Sequence, residues 1–197
     1  MKKNKRKKDF RDYLNYFLII VLLICFIVIG KQNYPRNSQK EEKIPVNIVG
    51  IEKDNIFNQI SANDVLKKIN EGNILVLFAL TNSKNTNYYA NALNDVAKEL
   101  EIDNIYYYDI STDRKNSNGT YGLIVETLNG LLEQDDQGKL NIYAPSFLIM
   151  KDNEILLFDQ MERLKGDTKE EDYWNEFNTN LKKSYFKAGL NNYLKEE

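Results

Sequence analysis

The sequence contains no histidine and only one cysteine, Cys25, among its 197 residues. A single cysteine excludes an intramolecular disulfide, a dithiol redox pair and a Cys/His metal cluster. Without histidine there is no imidazole to activate a serine or cysteine nucleophile. We therefore predict no catalytic residue, no bound metal and no small-molecule cofactor. Proline is scarce as well, and Pro145 is the only one after Pro45.

The N-terminal 30 residues combine a basic cluster with an uncharged run. Residues 1–12 carry seven lysines and arginines, and Tyr13–Gly30 contains no charged side chain. Eighteen residues at helical rise span about 27 Å, close to the thickness of the hydrocarbon core of a bilayer. The basic flank favours a cytoplasmic N-terminus. We therefore predict a cytoplasmic segment over 1–12 and a single-pass transmembrane anchor over 13–30.

Two other interpretations of this segment are weaker. A cleaved signal peptide would show a small-x-small site after the apolar core, and none follows. A lipoprotein modified at Cys25 would need a smaller residue than Ile24 before the cysteine, and Phe26–Ile29 continue the apolar run.

The rest of the chain has the composition of a tethered outer domain. Residues 31–45 are mostly charged or polar and contain Pro35, which is typical of a tether. From residue 31 onward there are 20 basic and 27 acidic side chains, a formal charge of −7. Such a domain is a poor ligand for nucleic acid. We predict a globular domain over 46–197, outside the cytoplasm.

The stretch Asn73–Leu100 predicts a strand, a polar turn and a helix. Ile74–Leu80 is a continuous apolar run, typical of a strand buried on both faces. The turn Thr81–Asn87 has no apolar side chain, and apolar residues then recur at helical spacing from Tyr89 to Leu100. Such a turn lies at the carboxyl end of a central strand, where open α/β sheets usually bind their ligands.

The remaining patterns complete an alternating order of strands and helices. We predict an edge strand at Val46–Ile51, a helix from a Ser61 cap to Glu71, a strand at Ile105–Ile110, a polar loop at Ser111–Thr120, a helix at Tyr121–Leu132 and a hairpin of Phe147–Met150 with Ile155–Phe158. A last helix begins at Asp167 or Thr168 and packs Trp174, Phe177, Leu181 and Tyr185 on the sheet. This order predicts an α/β fold with a mixed central sheet flanked by helices.

This order of elements, with a proline just before the hairpin, resembles the thioredoxin-like superfamily. The details are similar to small membrane-anchored bacterial thioredoxins of the bacteriocin-transport-accessory type, over most of Ile60–Phe158. In that family the turn after the central strand carries Cys-x-x-Cys. Counted back from Leu93, the two cysteine positions fall on Ser83 and Thr86, and Ser83-Lys84-Asn85-Thr86 replaces the motif.

Without these two cysteines, the chain lacks the groups for the family's dithiol exchange. Dithiol exchange needs a thiolate and a second thiol to resolve the mixed disulfide. The hydroxyls of Ser83 and Thr86 have pKa values too high for unaided attack. We predict that Ser83, Lys84, Asn85 and Thr86 form a degenerate site, which either caps the helix or still lines a peptide-binding groove.

A second segment carries the resemblance. Tyr143-Ala144-Pro145-Ser146 matches the family's cis-proline loop, with Pro145 as the proline. The resemblance implies that backbone groups beside this proline pair with an extended peptide as an added strand. The alternative is that Pro145 serves the hairpin alone.

These observations lead to one functional expectation and two alternatives. We expect a membrane-anchored, redox-inactive thioredoxin-like domain that binds proteins or peptides at the outer face, as an accessory factor in export, folding or envelope assembly. The alternatives are a disulfide oxidoreductase by ancestry and a structural subunit of a membrane complex that uses its C-terminal helix.

Overall fold

The computed structural model describes residues 44–47, 49–116, 118–161, 164 and 166–195. The predicted cytoplasmic segment, the anchor over 13–30 and residues 31–43 of the tether lie outside these residues. Across the described ranges, no helix combines the length and the apolar character that a bilayer crossing requires.

The described residues form an α/β structure around a five-stranded mixed sheet. The strands are β1 (Phe57–Gln59), β2 (Ile74–Ala79), β3 (Ile105–Asp109), β4 (Ser146–Lys151) and β5 (Glu154–Gln160), in the spatial order β1-β3-β2-β4-β5. β1, β2 and β3 are parallel, and β4 is antiparallel to both β2 and β5. The predicted mixed sheet flanked by helices is therefore confirmed.

Two layers of helices cover the sheet because the central strand alternates its side chains between two faces. On β2, Leu75 and Leu77 contact one core, and Val76 and Phe78 contact the other. The first core holds α2 (Lys84–Glu99) and α6 (Glu176–Leu194), and the second holds α1 (Ala62–Asn70) and α4 (Gly119–Thr127). All six residues of β2 are buried, as the apolar run predicts.

Local sequence patterns predicted the ends of several elements correctly. Ser61 is the N-cap of α1 and its hydroxyl accepts the Asp64 N–H at 3.2 Å. Gly72, with φ +75°, follows that helix in the left-handed region that glycine adopts readily. The β4–β5 hairpin turns at Asp152-Asn153, as predicted.

The edge-strand prediction for Val46–Ile51 is wrong. The edge strand is Phe57–Gln59, and residues 49–50 form a turn. Just before this segment, Pro45 makes an isolated bridge to Asn58. A three-residue strand is too short for a periodic pattern, and Phe57 is the buried residue that anchors it, at 1% exposure.

Two helices also differ from their predicted bounds. The polar loop Ser111–Thr120 contains a short helix, α3 (Ser111–Lys115), and the next helix, α4, ends at Thr127 with a separate 3₁₀ turn at Asn129–Leu131. Helix α2 begins at Lys84, so Lys84, Asn85 and Thr86 form its first turn rather than a preceding loop.

The predicted C-terminal helix is in fact two helices. α5 (Glu170–Tyr173) ends at Trp174, whose ψ of +43° is not helical, and Asn175 caps α6. The predicted packing face is also wrong beyond Trp174: Phe177, Leu181 and Tyr185 are exposed, and the face that packs inward consists of Phe186, Gly189 and Leu190. In this orientation Lys183 and Lys187 form ion pairs with Asp95 and Glu99 of α2.

Candidate functional site

Ser83 and Thr86 fix the junction between β2 and α2. Ser83 is the N-cap of α2, and its hydroxyl oxygen accepts the Thr86 N–H at 3.4 Å. Thr86 is buried at 1% exposure, and its hydroxyl oxygen accepts the Leu80 N–H at 3.3 Å. Both side chains therefore satisfy backbone groups that a helix start and a strand end leave unpaired.

Lys84 is held on the surface by an ion pair. Its Nζ lies 2.5 Å from Oε1 of Glu171, with the two side chains 62% and 48% exposed. This hydrogen bond, together with the charge of Glu171, raises the pKa of Lys84, so the amine stays protonated and is no general base. An exposed pair of this kind contributes little to stability.

Asn85 connects the same turn to the C-terminal helices. Its Oδ1 accepts the indole N–H of Trp174 at 3.0 Å. Trp174 is 7% exposed and packs edge-on against Tyr89 and Tyr173, with ring centroids 6.2 and 5.4 Å apart. The contact fixes the orientation of the Asn85 amide.

The loop Tyr143–Ser146 is held by hydrogen bonds on both sides of a cis peptide bond between Ala144 and Pro145. The Pro145 carbonyl accepts the Met161 N–H at 3.0 Å, and the Ser146 hydroxyl donates to the Tyr143 carbonyl at 2.5 Å. Gln160 Oε1 accepts the Tyr143 N–H at 3.2 Å. Ser146 is fully buried.

These two segments meet in one cavity of about 440 Å³, which we call the groove. Asn85 contributes to one wall, and Tyr143, Ala144 and Pro145 contribute to another. The other predicted positions do not line it: Ser83 and Thr86 serve the helix start, Lys84 pairs with Glu171, and Ser146 is buried beneath the loop.

The third wall of the groove was not predicted. It is formed by Met161, Leu164, Gly166, Thr168 and Glu170, which follow β5. No local motif marks this segment. A topological argument could have found it, because β5 runs parallel to β2 through two antiparallel steps and so ends at the same edge of the sheet.

The backbone of Ala144 is available at the groove. Pro145 has no N–H, and its carbonyl is occupied by Met161. Neither the N–H nor the carbonyl of Ala144 has a hydrogen-bond partner within the part of the chain that the structure describes. One residue thus presents a donor and an acceptor, as the edge of a strand does.

A largely buried polar network connects three elements near the sheet. The hydroxyl of Tyr89, on α2, donates to Asp159 Oδ2 at 2.5 Å, and Lys182 Nζ, on α6, lies 2.9 Å from Asp159 Oδ1. Burial, followed by the charge of Asp159, raises the pKa of Tyr89 well above its usual value. The network joins α2, which carries Asn85, to β5, which precedes Met161, and to α6.

The groove offers hydrogen-bonding groups, apolar surface and the carboxylate of Glu170. The described part of the chain holds no group of three or more Asp, Glu, Cys or His residues arranged to bind a metal. Asn85 and the Ala144 backbone offer hydrogen bonds, and Met161 and Leu164 offer apolar surface.

Comparison with protein-family models, curated proteins and solved structures finds no match for the chain.

Proposed function

We propose that this protein is a membrane-anchored, thioredoxin-like domain without redox chemistry, which binds an extended segment of a protein or peptide in the groove outside the cytoplasm. The observation that carries the proposal is the position of Ala144, which lines the groove together with Asn85 and whose N–H and carbonyl have no hydrogen-bond partner among the described residues. An extended chain that pairs with these groups would add to the structure as a strand does.

The thioredoxin-like part of the proposal is supported by topology and by the loop. The strand order β1-β3-β2-β4-β5, three parallel strands followed by an antiparallel hairpin, is compatible with that fold. The cis Ala144–Pro145 bond precedes β4 and faces the first turn of α2. The sequence holds no cysteine in the outer domain, so binding can persist there without thiol exchange.

The membrane part of the proposal rests on the sequence. The uncharged run Tyr13–Gly30 follows seven basic residues, which favours an anchor with the domain at the outer face. A role in export, folding or envelope assembly fits a peptide-binding domain at that location. No nucleic-acid role is proposed, because the chain from residue 31 carries a formal charge of −7.

The test uses the full-length protein in cells with a photocrosslinking residue at Asn85 or, on the third wall, at Thr168. We expect both probes to form an adduct with the same discrete protein. The adduct should be lost when Pro145→Ala is added, in samples that show equal amounts of folded protein by limited proteolysis. The absence of an adduct at both positions, or an adduct unchanged by Pro145→Ala, would contradict the proposal.

One observation favours the structural-subunit alternative. Phe177, Leu181 and Tyr185 recur every four residues on α6 and are 75%, 46% and 54% exposed. A probe at Leu181 tests it: a partner captured there and not at Asn85 would place the interaction on the helix.

A further inference from the structure

The described residues that line the groove are neutral or apolar, except for one carboxylate. Ala144, Pro145, Met161 and Leu164 provide its apolar surface, and Glu170 is the only charged side chain among the described residues that line it. Glu170 is half-buried at the start of α5. The negative charge of this carboxylate therefore interacts with any ligand bound in the groove.

The hydrogen bond and charge of Glu171, and more weakly the charge of Glu170, raise the pKa of Lys84, but the described residues show no ion pair between Glu170 and this lysine. Lys84, the cation of the neighbouring helix turn, is bound by Glu171 at 2.5 Å. Glu170 has no ion pair within the part of the chain that the structure describes. Arg114 lies over the ring of Tyr143, 5.8 Å from its centroid, and does not line the groove.

The third wall combines apolar residues with a carboxylate, and this combination suits a basic side chain. Lysine and arginine bury their methylene stems against apolar surface and keep the charged end in contact with polar groups. Met161 and Leu164 would cover the stem, and Glu170 would accept a hydrogen bond from the charged end. An acidic side chain would meet Glu170 with like charge.

From this geometry we infer that the groove selects extended peptide segments that carry a lysine or arginine, with Glu170 as the residue that determines this specificity. The inference rests on the proposed function, because it assumes that an extended chain pairs with Ala144. It adds the chemical class of the ligand.

The experiment measures enrichment of peptides on the full-length protein. The probe is a positional-scanning library of seven-residue peptides, with Lys, Gln or Glu fixed at one position and the others randomised. We expect the Lys pools to be enriched roughly five-fold over the Glu pools at the position that faces Glu170, since a half-buried charged hydrogen bond exceeds an exposed pair. In Glu170→Gln the preference should disappear while total binding remains. Glu126→Gln removes an exposed carboxylate of α4 that does not line the groove; it is the control and should keep the preference.

The other outcomes separate the two claims. Binding without preference for charge, a preference that survives Glu170→Gln, or enrichment of the Glu pools would overturn the specificity and leave the peptide-binding function standing. Absence of binding by every pool would overturn both.

Discussion

The indole N–H of Trp174 donates to Oδ1 of Asn85 at 3.0 Å, across 89 positions of sequence. This contact links the first turn of α2, where the groove begins, to the break between α5 and α6. Because the chain breaks between α5 and α6, Trp174 and Phe177 do not lie on one helical face. Trp174 is buried against the groove elements, and Phe177 faces solvent.

We predict that Asn85 and Trp174 are energetically coupled. Asn85→Ala and Trp174→Phe each remove the same hydrogen bond. The destabilisation of the double variant should therefore be smaller than the sum of the two single effects. The coupling energy should be about 1 kcal/mol in a double-mutant cycle measured by urea unfolding. A control cycle pairs Trp174→Phe with Asn180→Ala, an exposed residue of α6, and should be additive within about 0.5 kcal/mol. Additive effects of Asn85 and Trp174 would show that the contact contributes nothing in solution.

The thioredoxin-like proposal predicts that a dithiol can be restored. In a Cys25→Ser background, Ser83→Cys places a thiol at the N-cap of α2, where the helix dipole lowers the pKa of a cysteine, and Thr86→Cys places the second thiol in a buried position. We expect the double-cysteine variant to form an intramolecular disulfide and to catalyse reduction of insulin with dithiothreitol.

The two single-cysteine variants are its controls and should show no catalysis, because neither can resolve a mixed disulfide. Failure of the double variant to form the disulfide under oxidising conditions would count against the placement of the family motif on these positions.

We predict that Gly189 on α6 is needed for close packing of this helix on the sheet. A Cβ at this position would lie 2.7 Å from Leu157 Cδ2 and 3.0 Å from Ile149 Cδ1. Gly189→Ala should therefore lower the unfolding free energy by about 1 kcal/mol or more, despite the gain in helix propensity. Gly122→Ala is the matched variant, because Gly122 lies in α4 with nothing within 4 Å of an added Cβ, and it should raise stability by about 0.5–1 kcal/mol. Equal effects of the two substitutions would be incompatible with close packing at Gly189.

Stability should fall in alkaline solution. Burial, followed by the charge of Asp109, raises the pKa of Tyr107 from 10.0 to about 12. Between these values the unfolded chain releases a proton that the folded chain keeps, so the unfolding free energy decreases as pH rises through this window and is unaffected below it. The slope from one such residue reaches about 1.4 kcal/mol per pH unit.

The test compares urea unfolding of the protein and of Tyr107→Phe from pH 8 to pH 12. The unfolding free energy of Tyr107→Phe should decrease less steeply above pH 10 than that of the original protein. Tyr185→Phe, at a ring 54% exposed, should follow the original curve. Identical slopes for the protein and Tyr107→Phe would mean that other groups control the alkaline transition.

The parts of the fold that could be predicted are those with local causes. The apolar run of β2, the Ser61 cap and the Asp152-Asn153 hairpin each depend on neighbouring residues, and all three occur as predicted. The strand Phe57–Gln59 could not be found in this way, because its three residues form a strand through pairing with β3, which is distant in the chain, and through a bridge to Pro45.

The candidate site also has one part that the sequence predicts and another that it does not. The sequence by itself determined that residues 83–86 carry no thiol and that Pro145 precedes a hairpin, and it indicated the strand end beside which Asn85 lies. Only the tertiary structure decided that Asn85, Ala144 and Glu170 share one groove, and that the apolar stripe of α6 faces outward. The reason is physical: periodicity shows that a helix has an apolar side, whereas the direction of that side depends on contacts with segments distant in the chain.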